Sequence, residues 1–298
     1  MKSRTNLLYF ENFGKLNCNM SKILSSVFCF LLAIGAAAQP VQGGGYALPL
    51  DYPVVYEGPD VVFRQVDEHL WVGSGHVMSS ETLYIVEGDD RAVLIDTGTV
   101  IPGLDGIVES ITDKPYDVIL THVHPDHAGG CNNFNEIWIC RADESALPEM
   151  APGFDGSVRY LEDGQVIDLG GRTLEVLFTP GHTAGSVTFM DKANHYGFSG
   201  DSFGNGNLLL FTDFSTMAET CDRTLAWMQA NDIYFLYNGH FMNSNQETTK
   251  RIYDLGRICR DLLSGKVEGA GNPGGSMGLD LLYVRDGVRV NYRDDQMK

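Results

Sequence analysis

A mixed α and β fold is predicted for this chain by two observations. Short apolar segments broken by turn residues recur from Val61 onward, and two longer segments carry apolar residues at helical spacing. Because strands and helices interleave along the chain, neither an all-helical nor an all-strand class fits.

The elements follow in order. Residues 61–75 (VVFRQVDEHLWVGSG) and 80–98 (SETLYIVEGDDRAVLIDTG) read as strands, with Gly88-Asp89-Asp90 as a hairpin signal. Tyr116 to Leu120 is a continuous apolar run ending at Thr121, as expected of a buried strand, and Ile137 to Cys140 is a shorter one. The stretch 159–201 (RYLEDGQVIDLGG, RTLEVLFTP, SVTFMDKANHYGFSGD) reads as a run of hairpin-like strands, with His195 in a turn. Met217, Cys221, Leu225 and Met228 mark one face of a helix over Ser215 to Ala230. Ile252, Leu255, Cys259 and Leu262 do the same over Glu247 to Ser264, and Gly265 stands at the C-cap. The end, LLYVRDGVRVNYR, is a hairpin around Asp286-Gly287.

Composition bounds the organisation. The 298 residues are 43% hydrophobic and 20% charged, an ordinary globular balance that excludes disorder and collagen-like repeats. A formal charge of -18 argues against a nucleic-acid partner and against an anionic membrane surface. Lys22, the apolar run Ile23 to Gly35 and Ala36-Ala37-Ala38 have the order of a secretory signal peptide, so residues 1–38 are expected to be a leader and Gln39 the new N-terminus. The apolar run falls short of the ~20 residues a membrane span needs. Met20 is the start that this pattern favours. Loss of the leader would make the charge -21, from the 17 basic and 38 acidic residues that remain. The protein is then expected to be exported, periplasmic or secreted, with no stable membrane insertion. Residues 39–60 read as an irregular, Pro/Gly-rich lead-in, and residues 61–298 as one catalytic domain. Cys131, Cys140, Cys221 and Cys259 remain after the leader and do not make a disulfide framework; the last two fall on apolar helix faces.

Chemistry concentrates at Thr121-His122-Val123-His124-Pro125-Asp126-His127. His122 and His124, two apart, point the same way in extended chain. Pro125 cannot continue a strand ladder, so the chain turns there and can bring Asp126 and His127 back toward the same point. Imidazole and carboxylate suit zinc and similar ions; the alternative is a hydrogen-bonded polar loop, which need not concentrate imidazoles. Without a cation the clustered histidines would repel one another on protonation. His182 after Pro180-Gly181, His240 after Asn238-Gly239 and Asp201 after Gly200 each sit at a turn following an apolar run. Glycine before each histidine suggests an unusual backbone conformation there.

The order VLIDTG (Asp96), HVHPDH, TPGHTAGS (His182), FSGDS (Asp201) and YNGH (His240) resembles the metallo-β-lactamase superfamily, from about Val61 through His240. The resemblance implies an αββα sandwich of two mixed sheets packed face to face, with helices outside and metals at one edge. It implies that His122, His124 and His182 hold a first metal, that Asp126, His127 and His240 hold a second, and that Asp201 bridges them. Asp96 would orient the loop or a ligand histidine. Two zinc ions are implied, with iron or manganese as variants. Two divalent cations against Asp126, Asp201 and one hydroxide leave a net positive centre, able to hold that hydroxide near neutral pH. The expected activity is attack by hydroxide on an ester, thioester or lactone carbonyl of a small-molecule substrate, with Asp126 or a water as proton shuttle.

The chain departs from particular branches of the superfamily. Some zinc β-lactamases carry Cys where Asp201 stands and others lack the bridging aspartate, so β-lactam hydrolysis is the alternative activity. His124 replaces the glutamate of flavodiiron proteins. Glyoxalase II adds a longer basic helical region after its last ligand; here one helix, a Gly-rich loop and a hairpin follow His240. A metal-binding protein without catalysis is the remaining alternative, and structural zinc sites do not need a bridged pair. Two decoys fail on context. Gly274 to Gly278 matches G-x-S-x-G and Gly269 to Gly274 matches G-x-G-x-x-G, but neither lies between a strand and a helix. His69, His76 and His195 have no assigned part. Phe203 to Phe211 is read either as a wall or lid of the site or as a buried segment.

Overall fold

The computed structural model describes residues 51–76, 80–242 and 245–298. The expected leader, most of the lead-in and the residues just after His76 lie outside them.

The first sheet has eight strands in sequence order: β1 (Val54–Glu57), β2 (Val61–Asp67), β3 (Leu70–Gly75), β4 (Thr82–Glu87), β5 (Ala92–Ile95), β6 (Tyr116–Ile119), β7 (Glu136–Ile139) and β8 (Ser157–Tyr160). It is antiparallel from β1 to β5 and parallel from β5 to β8. The second sheet contains β9 (Val166–Asp168), β10 (Thr173–Phe178), β11 (Val187–Asp191), β12 (Tyr196–Gly200), β14 (Phe235–Asn238) and β15 (Glu247–Thr248), in the order β15-β14-β12-β11-β10-β9. A small third sheet joins β13 (Asn207–Leu209) to β18 (Val288–Tyr292), β17 (Leu281–Arg285) and β16 (Ala270–Gly271). The helices are α1 (Leu104–Glu109), α2 (Pro125–Ala128), α3 (Leu147–Met150), α4 (Phe214–Ala230) and α5 (Thr249–Leu263).

Strand alternation builds the layers, because successive side chains point to opposite faces. Tyr84 and Val86 of β4, with Val93 and Ile95 of β5, face Val176, Val187, Phe189 and Phe198 of the second sheet in one buried cluster. Their neighbours Leu83, Ile85 and Leu94 face the other way, onto Leu104 and Val108 of α1. On the far side, Leu177, Met190 and Leu236 pack against Met217 and Cys221 of α4 and Ile252, Leu255 and Cys259 of α5. The result is the expected αββα sandwich. Both long helices start at side-chain caps: Asp213 accepts from Thr216 N at 2.8 Å and Thr248 from Arg251 N at 3.3 Å. Asp286 and Gly287 take positive φ in the β17–β18 turn, as the Asp-Gly signal required.

Three local expectations are corrected. Val54–Glu57 is a strand paired antiparallel to β2, so the lead-in is not irregular throughout; Pro53 precedes this edge strand and its carbonyl accepts from Gln65 N. The segment 159–171 is not one hairpin: Tyr160 ends β8 in the first sheet and Val166 begins β9 in the second. The turn residues between them serve a crossing between sheets, which a local pattern cannot tell from a hairpin. The second long helix begins at Thr249, because Glu247 and Thr248 pair with β14.

Candidate metal centre

The site lies where loops leaving β5, β6, β10, β12 and β14 meet. Each of the seven residues singled out in the sequence is brought there. His122 Nε2, His124 Nδ1 and His182 Nε2 form one candidate metal-holding group; His122, His127 and Asp201 form another, and Asp126, His127 and His240 a third. Asp201 Oδ2 stands 3.3 Å from His240 Nε2, 3.7 Å from His127 Nε2 and 3.9 Å from His182 Nε2, between the first and third groups. Asp126 Oδ2 is 3.5 Å from His240 Nε2 and 3.8 Å from His127 Nε2.

The hydrogen bonds behind the ring fix its tautomers. His182 Nδ1 donates to Leu209 O at 2.7 Å, since a carbonyl can only accept. Thr121 Oγ1 gives its proton to Asp96 Oδ2 at 2.7 Å and therefore accepts from His122 Nδ1 at 3.1 Å. His122 Nε2 and His182 Nε2 thus present lone pairs 3.2 Å apart, and His124 Nδ1 stands 3.1 Å and 2.8 Å from them, so three nitrogens converge with at most one proton, on His124, among them. One proton cannot satisfy both lone pairs well. The spacing also suits ligands of one ion, whose nitrogens each lie about 2.0–2.1 Å from a zinc. Two further buried atoms, His127 Nε2 and Asp201 Oδ1, lack a hydrogen-bond partner. Buried polar atoms are ordinarily paired, so the donor set fits metal ions.

Asp96 is not one of the converging donors. It adopts a left-handed backbone, φ 62°, and its carboxylate accepts from Thr121 N at 2.7 Å and from His127 Nδ1 at 2.8 Å. It thereby aims His127 Nε2 into the site. The glycines act differently from expectation. Neither Gly181 nor Gly239 has a positive φ. Gly239 is required by space: a Cβ there would lie 2.4 Å from Asp201 Oδ1 and 2.5 Å from the His127 ring.

Electrostatics divides the imidazoles. Burial, reinforced by the neighbouring rings, pushes His122 well below its usual value; burial with His182 and His127 takes His124 down to about 3. His182 is lowered mainly by burial. Burial opposes a charge on His127, but Asp126, Asp96 and Asp201 outweigh it and hold its pKa well above the usual one. His240 is raised by Asp201 against the same opposition. Asp201 is held well below the ordinary carboxylate range by His240 and His127 despite its burial. The donors of the first group therefore stay neutral and available near pH 7.

One neighbour has a role the sequence did not reveal, and a second settles a choice it left open. Asp143 is buried; its Oδ2 accepts from Val123 N at 3.0 Å and Thr183 Oγ1 at 2.8 Å, and its Oδ1 from Gly185 N at 2.8 Å. One carboxylate thus ties the 122–127 loop to the loop bearing His182. Phe211 sets its ring 5.3 Å from that of His124 and 5.6 Å from that of His182. The segment 203–211 is both things considered for it: Phe203, Leu208 and Leu210 are core, and Phe211 is a wall of the site. His69 and His195 lie away from the cluster, His69 beside Glu87 and His195 at a positive φ in the β11–β12 turn. His76 is exposed and is in none of the three groups. Ser276 begins a short 3-10 turn before β17, so the G-x-S-x-G match is not an elbow.

Comparison with known proteins agrees with this geometry. The family model of the metallo-beta-lactamase superfamily matches residues 79–240, and the chain belongs to that superfamily. It is 27% identical over 212 residues to the human acyl-coenzyme A thioesterase MBLAC2, covering 57% of this chain and 76% of that protein. It is 32% identical over 116 residues to a hydroxyacylglutathione hydrolase from Hyphomonas neptunium, covering 39% and 44%. A metallo-beta-lactamase from Pontibacter korlensis shares the fold with a TM-score of 0.55 at 18% identity, over 67% of this chain and 99% of the other. Among the described residues no helix is long and apolar enough to cross a membrane.

Proposed function

We propose that the protein is a dinuclear metal-dependent hydrolase acting on an acyl ester, thioester or lactone. The observation that carries this reading is the convergence of His122 Nε2, His124 Nδ1 and His182 Nε2 within 3.2 Å of one another, beside His127 Nε2 and Asp201 Oδ1, which have no hydrogen-bond partner. His122, His124 and His182 would hold one ion, Asp126, His127 and His240 the other, and Asp201 both. Zinc suits this imidazole-rich set. When bound, such ions supply Lewis acidity and lower the pKa of water toward ~7.

The chain's own groups do the rest. Asp126, part-exposed at the site, takes the proton released on attack and delivers it to the leaving group. Asp96 keeps His127 in the tautomer that presents Nε2. Phe211 screens the His124 and His182 side from water. No side-chain nucleophile is required.

The experiment is a panel of lactones, esters, thioesters and nitrocefin, run with zinc-loaded protein beside His122→Ala and Asp201→Ala. Acyl-bond turnover that both variants lose supports the reading. Preference for nitrocefin would instead mark a β-lactamase, and two bound ions with no turnover of any substrate would mark a metal-binding protein.

A further inference from the structure

We infer that the substrate of this site is neutral or cationic, and that the site discriminates against polyanionic leaving groups such as coenzyme A. This rests on the acyl-hydrolase reading and adds the charge of the molecule that the site admits.

The first observation is the composition of the loops that build the site. Residues 96–104, 121–135, 179–186, 200–216 and 238–247 contain no Lys or Arg. Apart from the metal donors Asp126 and Asp201, whose charge bound ions would offset, they carry Asp96 and Asp213, and Asp143 stands directly behind two of them. A diphosphate or 3′-phosphate would find no cation on any loop that presents a donor. Phosphate recognition ordinarily uses Arg or Lys forks or helix N-termini.

The second observation is independent of the first. Seventeen Lys and Arg lie beyond residue 50, and fourteen of them are within 4.0 Å of a carboxylate. The cations nearest the site in sequence are among these. Arg251 bonds the carbonyls of Asn245 and Gln246 and lies 4.0 Å from Glu247; Arg141 pairs with Glu144 and stacks on Tyr160. Arg64, Arg289 and Lys298 have no such carboxylate among the described residues. The fold brings two of the three next to a site loop: Arg289 lies opposite Asn207 in the β13–β18 pair, and the Lys298 carbonyl accepts from Ser215 N at 2.8 Å. Two cations on the outer side of one loop, set against the field of a chain with formal charge -18, do not make a polyphosphate cradle.

The consequence is a charge filter. The negative field lowers the local concentration of anionic substrates and raises that of cationic ones, an effect screened beyond about 8–10 Å at ordinary salt. Hydrolysis of a neutral or cationic ester or thioester releases a carboxylate, which the same field helps expel.

The test uses zinc-loaded full-length protein and three thioesters with the same acyl group: the coenzyme A, N-acetylcysteamine and thiocholine esters. Turnover is followed from about 10 mM to about 300 mM salt, a range over which surface fields are largely screened. The expected order of kcat/KM at low salt is thiocholine, then N-acetylcysteamine, then coenzyme A, with the extremes at least about tenfold apart. Added salt should lower the thiocholine value and raise the coenzyme A value. Ala184→Lys, an exposed position on the His182 loop, should raise the coenzyme A value by about two- to tenfold and lower the thiocholine value. Arg289→Gln should leave the coenzyme A to N-acetylcysteamine ratio unchanged. A coenzyme A value that exceeds the neutral one and falls with salt overturns the inference, as do flat salt profiles for all three or a coenzyme A activity that depends on Arg289. If none of the esters turns over, the acyl-hydrolase reading fails. The charge filter is then read separately, from the salt dependence of binding of the three free thiols to cobalt-loaded protein at the thiolate absorption band. Opposite salt slopes for thiocholine and coenzyme A support it, and equal slopes refute it.

Discussion

The two ends of the sandwich both bury charged side chains, and they treat them in opposite ways. At one end Arg172 bonds Asp191 at 2.7 Å, Tyr196 Oη at 2.8 Å and the carbonyls of His69 and Glu87 at 3.0 Å. At the other end His122 Nε2, His124 Nδ1 and His182 Nε2 converge within 3.2 Å with at most one proton among them, and His127 Nε2 and Asp201 Oδ1 have no hydrogen-bond partner. A closed network of this kind holds sheets in place. A buried cluster left open needs a ligand from outside the chain, and that difference separates structure from function here.

The comparison breaks most visibly by substituting one residue at each end. Asp201→Asn should lower kcat/KM about a thousandfold or more, while the variant still folds, as read from its circular dichroism. Arg172→Met should do the reverse. It leaves Asp191 buried without its cation, costs about 3–5 kcal/mol in denaturant unfolding, and keeps activity per folded molecule. A loss of activity at both ends, or of stability at both, would erase the distinction.

Glu247 sharpens it, since it is a buried carboxyl near the site that neither network uses. Both its carboxyl oxygens lack a hydrogen-bond partner, and burial pushes its pKa up to about 8. With the folded value above the unfolded one, the group's stabilising contribution is complete below about pH 4.5 and is lost as pH rises toward 8. Glu247→Gln should therefore gain on the wild type between pH 5 and pH 8.5, by about 2–4 kcal/mol in denaturant unfolding. An unchanged difference across that range would contradict it.

His124 has the opposite sign. Its folded pKa, about 3, lies below the unfolded value, so the contribution is present above about pH 6.5 and is lost as pH falls toward 3. Metal-free wild type should lose about 2 kcal/mol relative to His124→Gln between pH 7.5 and pH 4.5. A smaller effect tests the loop tie. Asp143→Asn should weaken zinc binding about tenfold, read by competition with a chelator, with kcat on the fully loaded protein little changed.

How much of this was legible depends on where each determinant lies along the chain. His122, His124, Asp126 and His127 are legible because four donors share one short turn. His182, Asp201 and His240 become legible only as parts of an ordered set of motifs. Asp143 gives no signal, because its partners are two backbone N–H groups and a hydroxyl on loops distant in sequence. The helices over Ser215 to Ala230 and Glu247 to Ser264 show in their apolar spacing. The crossing between Tyr160 and Val166 does not, since turn residues look alike whether the chain returns to its own sheet or leaves for another. Gly239 was legible as important for the wrong reason: the requirement is room beside Asp201 and His127, not a left-handed backbone.

The central claim is most directly tested by counting zinc per chain in protein loaded and freed of excess metal, with acyl-ester turnover measured before stripping, after it and after zinc is restored. Two ions per chain, loss of turnover on stripping and its return with zinc are expected. Full turnover by the stripped protein would contradict it.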